Sequence, residues 1–237
     1  MHCLWALCPP LPPQGNGGAA INQGYQPRSY RLWVNDGDLV SFTAIVKESD
    51  LFIRAQRNLK QKALKATSKC RASLENYIRH SPSFLTALKP IPVAEDAPQV
   101  VQEMAQAAEK VGVGPMAAVA GAIAEYVGRE LLPLSSQVIV ENGGDLFLKV
   151  SQRRFVGVYA GESPFTGRVA LEIEPEETPL GICTSSGTVG HSLSFGTADA
   201  VIVLSPSTAL ADAAATGIGN LIIETDDIPR GIEFAQG

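Results

Sequence analysis

Apolar and polar positions first alternate with a period near two. The segments "YRLWVN", "LVSFTAIVKES" and "LFIRAQ" are rich in β-branched and aromatic residues and are divided by "DGD" and "SD", which predicts three strands. The period then lengthens to that of a helix from about Asn58 to His80, and "SPSFLTALKPIP", with three prolines, predicts the loop that ends it. "AEDAPQVVQEMAQAAEKVGVGP" has an acidic start, apolar residues at helical spacing and a glycine near its end, and predicts a second helix. "PMAAVAGAIAEYVGRELL" predicts a third, so rich in Ala and Gly that another backbone must approach it closely.

Period two then returns. "QVIVENGGDLFLKV" predicts strand, tight turn and strand, and "RRFVGVYAG", "RVALEIEP", "LGICTS" and "DAVIVLSP" continue an antiparallel series. "STALADAAATGIG" predicts a late helix and "NLIIET" a last short strand. Strands, then helices, then strands with one late helix describe an α+β fold of layered antiparallel sheets with segregated helices, not the strict alternation of a doubly wound one.

Composition narrows the setting. The 237 residues are 45% hydrophobic but only 6% aromatic, so the core is expected to be built from Ala, Val, Ile and Leu. Residues 1–24, opening "MHCLWALCPPLPPQGNGG", resemble a signal peptide only faintly. They lack a basic start and their prolines break the apolar stretch, so a disordered leader is expected, followed by a single α+β domain over residues 25–237. No apolar run reaches the roughly 18 residues of a membrane span. The four cysteines form no CxxC pair and have no His at zinc spacing, which suits a reduced, cytoplasmic protein. Cys183, within "LGICTSSG", reads as a small buried hydrophobe.

Charge is divided unevenly. Residues 1–89 hold twelve Lys and Arg against five Asp and Glu, while residues 90–237 hold seven against nineteen. The basic stretch Arg54 to Arg71 has no interleaved aromatics and the overall pI is near 5.3. A solvated helix face is expected there, and no nucleic-acid partner.

Three polar pieces carry candidate chemistry. In "ENGGD", Asn142 and Gly143 are explained by a turn, while Gly144 and Asp145 exceed its needs and suit a ligand lying against bare backbone. "TSSGTVGHSLSFGT" combines hydroxyls, glycines and His191 in a manner that fits phosphate oxygens or an ordinary polar loop. In "SPSTALADAAATGIGN", Asp212 and Thr216 stand one helical turn apart. Such a pair can offer two oxygens to a hard cation, yet spacing alone favours a helix-end charge and a hydroxyl bonded back to its own helix.

Taken in order, "GAIAEYVG", "ENGGD", "TSSG" and "SPSTALADAAATGIG" resemble the C-terminal two thirds of the FAD:protein FMN transferases of the ApbE type. Those run "GGIAKGYA", "N-x-GGD", "TSG", "HIIDPRTG" and "ADALATAL". The chain as a whole resembles a sister family of these transferases. The resemblance implies that Asp212, Thr216 and the Ala124 carbonyl hold Mg²⁺. It implies too that Asn142, Gly143, Gly144 and Asp145 line a pocket for the adenosine part of FAD, and that Ser185, Ser186 and Gly187 approach the diphosphate and flavin. His191 is the candidate for proton transfer. Two departures stand against unchanged chemistry: Glu125 replaces the lysine after the alanine, and the "HIIDPRTG" block shrinks to "HSLSFGT".

The expected ligand is therefore a flavin or related nucleotide, bound with Mg²⁺ and subject to group transfer or hydrolysis at its diphosphate. The alternatives are a non-catalytic flavin or nucleotide module on the same scaffold, and a structural protein that retains only packing remnants. The small-residue helix and the paired strands are compatible with a homodimer.

Overall fold

The computed structural model describes residues 6–7, 37–188 and 194–236. Among the described residues, two antiparallel sheets and six α-helices, joined by short 3-10 turns, form the regular structure. The strands are β1 (Ala6–Leu7), β2 (Val40–Val46), β3 (Ser49–Ala55), β4 (Val138–Asn142), β5 (Asp145–Lys149), β6 (Arg154–Gly157), β7 (Val169–Ile173), β8 (Leu180–Ser185) and β9 (Val201–Ser205). The helices are α1 (Lys60–His80), α2 (Ser83–Thr86), α3 (Gln99–Val111), α4 (Val119–Leu131), α5 (Thr208–Leu221) and α6 (Ile228–Gln236). One sheet has the order β2-β3-β4-β5-β8-β9 and the other β1-β7-β6, so the expected α+β architecture of layered antiparallel sheets is what the chain adopts.

The strand alternation explains the layering. On β4, Val138 and Val140 belong to the apolar cluster shared with α1, α3 and α4, whereas Ile139 joins Leu146 and Leu148 of the neighbouring β5 and Val156, Leu171 and Ile173 of the second sheet. Both faces of β4 are thus covered, which is why its five residues are all buried. The helices α1, α4 and α5 lie on one face of the larger sheet and the small sheet lies on the other.

Small residues set how closely these layers meet. A Cβ at Gly128 of α4 would come within 2.1 Å of the Phe147 ring on β5, and one at Gly181 of β8 would come within 2.4 Å of the Thr208 Cα. The alanine- and glycine-rich helices are therefore those laid directly on the sheet, as their composition requires. Among the described residues, no single helix is long and apolar enough to cross a membrane.

Several expectations need correction. "NLIIET" is not a strand: α5 continues to Leu221, and a 3-10 turn at Thr225–Asp227 leads into α6. The Ile222 and Ile223 carbonyls accept from the Thr197 backbone and hydroxyl, and Asp227 takes the Ile223 and Glu224 amides, so the backbone groups of a strand are already engaged. The first hairpin turns at Lys47 and Glu48, with Lys47 at φ 53, so Ser49 and Asp50 open β3 instead of forming the turn. "PMAAVAGAIAEYVGRELL" divides into a 3-10 turn, Pro115–Ala118, and α4. The expected strand "YRLWVN" and most of the expected leader lie outside the described residues, although Ala6–Leu7 of that leader pair with Val169–Ala170 as β1.

Candidate functional site

The Asn-Gly signal forms the two-residue turn it predicts. Asn142 pairs with Asp145 across the β4–β5 hairpin, and Gly143 and Gly144 take φ of 68° and 108°, a backbone open to glycine at little cost. The flanking side chains turn inward. Asn142 Nδ2 donates to the Ala120 carbonyl at 3.0 Å, tying the hairpin to α4, and the Gly144 amide donates to Glu141 Oε1 at 3.0 Å.

Asp145 is 6% exposed. Its Oδ1 accepts from the Thr184 amide at 3.3 Å, and the Cys183 thiol also bonds to its carboxylate. Burial pushes its pKa up to about 7, against those hydrogen bonds and with a further rise from the Glu141 charge. Cys183 itself is buried on β8, where its thiol donates to the Thr208 carbonyl at 3.4 Å. Burial and the nearby charges of Asp145 and Asp212 push that thiol well above the usual range, so it is a packed, protonated group, in keeping with its apolar sequence setting.

Asp212 reaches the same place from α5. Gly121 donates its amide to Asp212 Oδ2 at 2.8 Å, and the Ala120 amide bonds to the same carboxylate. These amides stand in the first turn of α4, where backbone N–H groups lack helical partners. The sequence suggested a carboxylate at a helix start; the helix it caps is α4, not its own. The group is enclosed although the residue keeps partial surface, and burial together with the Asp145 charge raises its pKa well above the usual carboxylate range. Among the described residues, neither Asp145 nor Asp212 has an ion pair with Lys or Arg.

Thr216 stands one turn beyond Asp212 and Asn220 one turn beyond that, and these three are half-buried within an otherwise buried stretch of α5. Among the described residues no hydrogen bond ties the Thr216 hydroxyl back to its own helix, unlike Thr67, whose hydroxyl donates to the Ala63 carbonyl at 2.8 Å. Ala124 is fully buried. The α4 residues that touch Asp212 are Ala120 and Gly121, one turn before it.

The "TSSG" segment spans the end of β8, with Thr184 and Ser185 in the strand and Ser186 and Gly187 beyond it, alongside the C-terminal half of α5. Ser185 is buried, and its hydroxyl and that of Ser194 converge on the space beside Gly219. Ser194 Oγ is buried and has no hydrogen-bond partner among the described residues. Ser186 accepts from the Thr188 amide at 3.1 Å, and the Gly187 amide donates to the Ala198 carbonyl at 2.9 Å. Gly187 lies so near the returning chain that a Cβ would stand 2.1 Å from the Gly196 carbonyl oxygen. Asn220 Oδ1 holds that returning chain through the Phe195 amide at 2.9 Å. His191 lies outside the described residues.

The structure therefore gathers Asn142, Asp145 and Asp212 around one junction of β4–β5, β8, α4 and α5, with Thr216 and Ser185 further along the α5–β8 seam. Glu125, which stands where the family pattern has a lysine, is enclosed and partnered. It is 2% exposed, and its Oε2 accepts from the Thr208 and Ala209 amides at 2.8 and 3.3 Å, the first turn of α5. Its other oxygen pairs with Arg129, which also reaches Glu103 at 2.8 Å. An acid set among the small and apolar residues of "AGAIAEYVG" was the sequence signal for a buried, partnered carboxylate.

Comparison with known proteins bears on this arrangement. A family model described as "AbpE bacteria" matches residues 31–231. A UPF0280 protein of Methanococcus vannielii is 43% identical over 194 residues, 80% of this chain and 78% of that protein. Another, from Methanopyrus kandleri, is 44% identical over 203 residues, 84% and 82% of the two chains. Among solved structures, a point mutant of the flavin transferase ApbE from Vibrio cholerae superposes with a TM-score of 0.55 at 14% identity, covering 84% of this chain and 91% of that one; the likeness is one of fold. The chain belongs to the UPF0280 family, an ApbE-like sister family that shares the fold of the ApbE flavin transferases.

Proposed function

We propose that this protein binds FAD or a related nucleotide together with Mg²⁺ and acts at the diphosphate, by group transfer or hydrolysis. The observation that carries this reading is the pair Asp145 and Asp212: two enclosed carboxylates beside a Gly-Gly turn, with no Lys or Arg paired to either among the described residues. Burying two like charges together is costly unless a cation or protons offset them. A hard divalent cation accepts carboxylate, hydroxyl and carbonyl oxygens, so Asp212, Thr216 and a carbonyl of α4, Ala124 in the family pattern, are the groups that would hold it. Bound there, Mg²⁺ would neutralise diphosphate oxygens as a phosphorus–oxygen bond breaks.

The chain's own residues supply the rest. Asn142 fixes the hairpin to α4 so that Gly143 and Gly144 leave bare backbone for a nucleoside. Ser185 and the buried Ser194 hydroxyl, which has no hydrogen-bond partner among the described residues, offer polar contacts further along the seam. His191 is proposed to handle the proton.

A second reading, a binding module without transfer, is favoured by Glu125. Where the transferases carry a lysine, this chain has a buried acid committed to α5, and the nearest cation on α4, Arg129, is paired with Glu125 and Glu103. Incubation with FAD, Mg²⁺ and a flavin-acceptor peptide separates the readings. AMP release supports transfer, a rise in melting temperature without AMP supports binding alone, and neither response contradicts both.

A further inference from the structure

Four residues at the α4–α5 crossing form a closed arrangement. Gly121 and Glu125 share one face of α4, four residues apart, and Thr208 and Asp212 share one face of α5 at the same spacing. Each helix gives a carboxylate to the other's first turn: Asp212 accepts from Gly121 at 2.8 Å and Glu125 accepts from Thr208 at 2.8 Å. The helices meet closely, since a Cβ at Gly121 would come within 2.5 Å of the Thr208 carbonyl oxygen and 2.8 Å of the Asp212 Cβ.

We infer that Glu125 is a positioning residue for the candidate cation site, fixing the start of α5 against α4 so that Asp212 and Thr216 present their oxygens one and two turns later. This deepens the proposed Mg²⁺-dependent binding and rests on it. Three features make the grip rigid. Glu125 engages two amides of α5, it is locked from behind by Arg129 and Glu103, and the residue it holds lies one turn below Asp212 on the same face. The α5 start has a separate cap, Ser207 Oγ accepting from the Leu210 amide at 3.3 Å, so helix stability and helix placement are carried by different side chains. Residues that orient a metal ligand from behind typically alter metal affinity by about 10–100-fold when changed.

The test titrates Mg²⁺ into metal-free wild type, Glu125→Gln and Ser207→Ala by calorimetry, and records the amide resonance of Gly121 in each. Expected are a Mg²⁺ affinity about 10–100-fold weaker in Glu125→Gln, a displaced Gly121 resonance in that variant, and Mg²⁺ affinity within about twofold of wild type in Ser207→Ala, whatever its melting temperature. Unchanged affinity in Glu125→Gln, or an equal loss in Ser207→Ala, overturns the inference. If wild type itself takes up no Mg²⁺, the proposed function fails, and the metal-free spectra decide the positioning role. A Gly121 resonance that moves in Glu125→Gln then supports it, and one that stays in place overturns it.

Discussion

Asp212 on α5 accepts a 2.8 Å hydrogen bond from the Gly121 amide of α4, across 91 positions of sequence. The contact joins the helix bearing the candidate cation ligands to the helix that anchors the Gly-Gly hairpin through the Ala120 carbonyl. A carboxylate at a helix N-terminus gains from unpaired amides and the helix dipole. Here it is also held close to a second carboxylate, Asp145, whose charge it feels.

Gly121 makes that contact possible. In a helix, Gly→Ala ordinarily adds up to about 1 kcal/mol of stability through propensity. Gly121→Ala is expected to do the opposite, destabilising by about 1–3 kcal/mol through overpacking, because its Cβ would meet the Thr208 carbonyl oxygen at 2.5 Å. Urea denaturation checks the sign; a more stable variant would mean that α5 is free to move away.

Asp145 separates fold from function. Asp145→Asn removes one of two neighbouring buried charges while keeping an acceptor for the Thr184 amide. Metal-free protein should gain about 1 kcal/mol, which raises the melting temperature by about 2–4 °C for a chain of this size, and Mg²⁺ uptake should weaken. A lower melting temperature without metal would show that the two charges are already compensated.

Gly144 has φ 108, where a side chain is strained. Gly144→Ala should cost about 1–2 kcal/mol and loosen the hairpin beside Asp145, as hydrogen exchange at the Thr184 amide would report. Unaltered exchange would free the turn from any part in holding Asp145.

Acid stability has a separate origin. Arg154, buried between the sheets, bonds Asp38 at 2.6 and 2.8 Å and lowers the Asp38 pKa from 3.8 to about 2. A carboxyl more acidic in the folded state stabilises the fold above its unfolded value, and that contribution fades as pH falls from about 4 through about 2. Asp38 is 37% exposed, so solvent weakens the effect. Asp38→Asn should flatten this part of the pH–stability curve, and an identical acid limb in both proteins would exclude the pair as its source.

The sequence was most informative where the governing chemistry is local. Asn142-Gly143 specifies its own turn, and alternation through "QVIVENGGDLFLKV" specifies two strands with two buried faces. At the chain's end, β-branched Ile222 and Ile223 read as a strand, whereas Glu224 and Asp227 form a reciprocal cap that starts the next helical segment; the capping signal was present but overshadowed by the apolar run. The site was legible as residue types and not as partners. Asp212 and Thr216 share a face by spacing alone, but the amides that Asp212 takes belong to α4, and those that Glu125 takes lie 83 and 84 positions away on α5. Such pairings arise only when Gly121 and Gly181 let the layers close.

Calorimetric titration of metal-free protein with Mg²⁺, followed by FAD, against the same titration of Asp212→Ala, decides whether Asp212 holds a cation. Saturable Mg²⁺ uptake by wild type, stronger FAD binding in its presence, and loss of both in Asp212→Ala are the predicted results. Absence of heat and of any melting-temperature change in wild type, or equal uptake by Asp212→Ala, would contradict a cation site at Asp212.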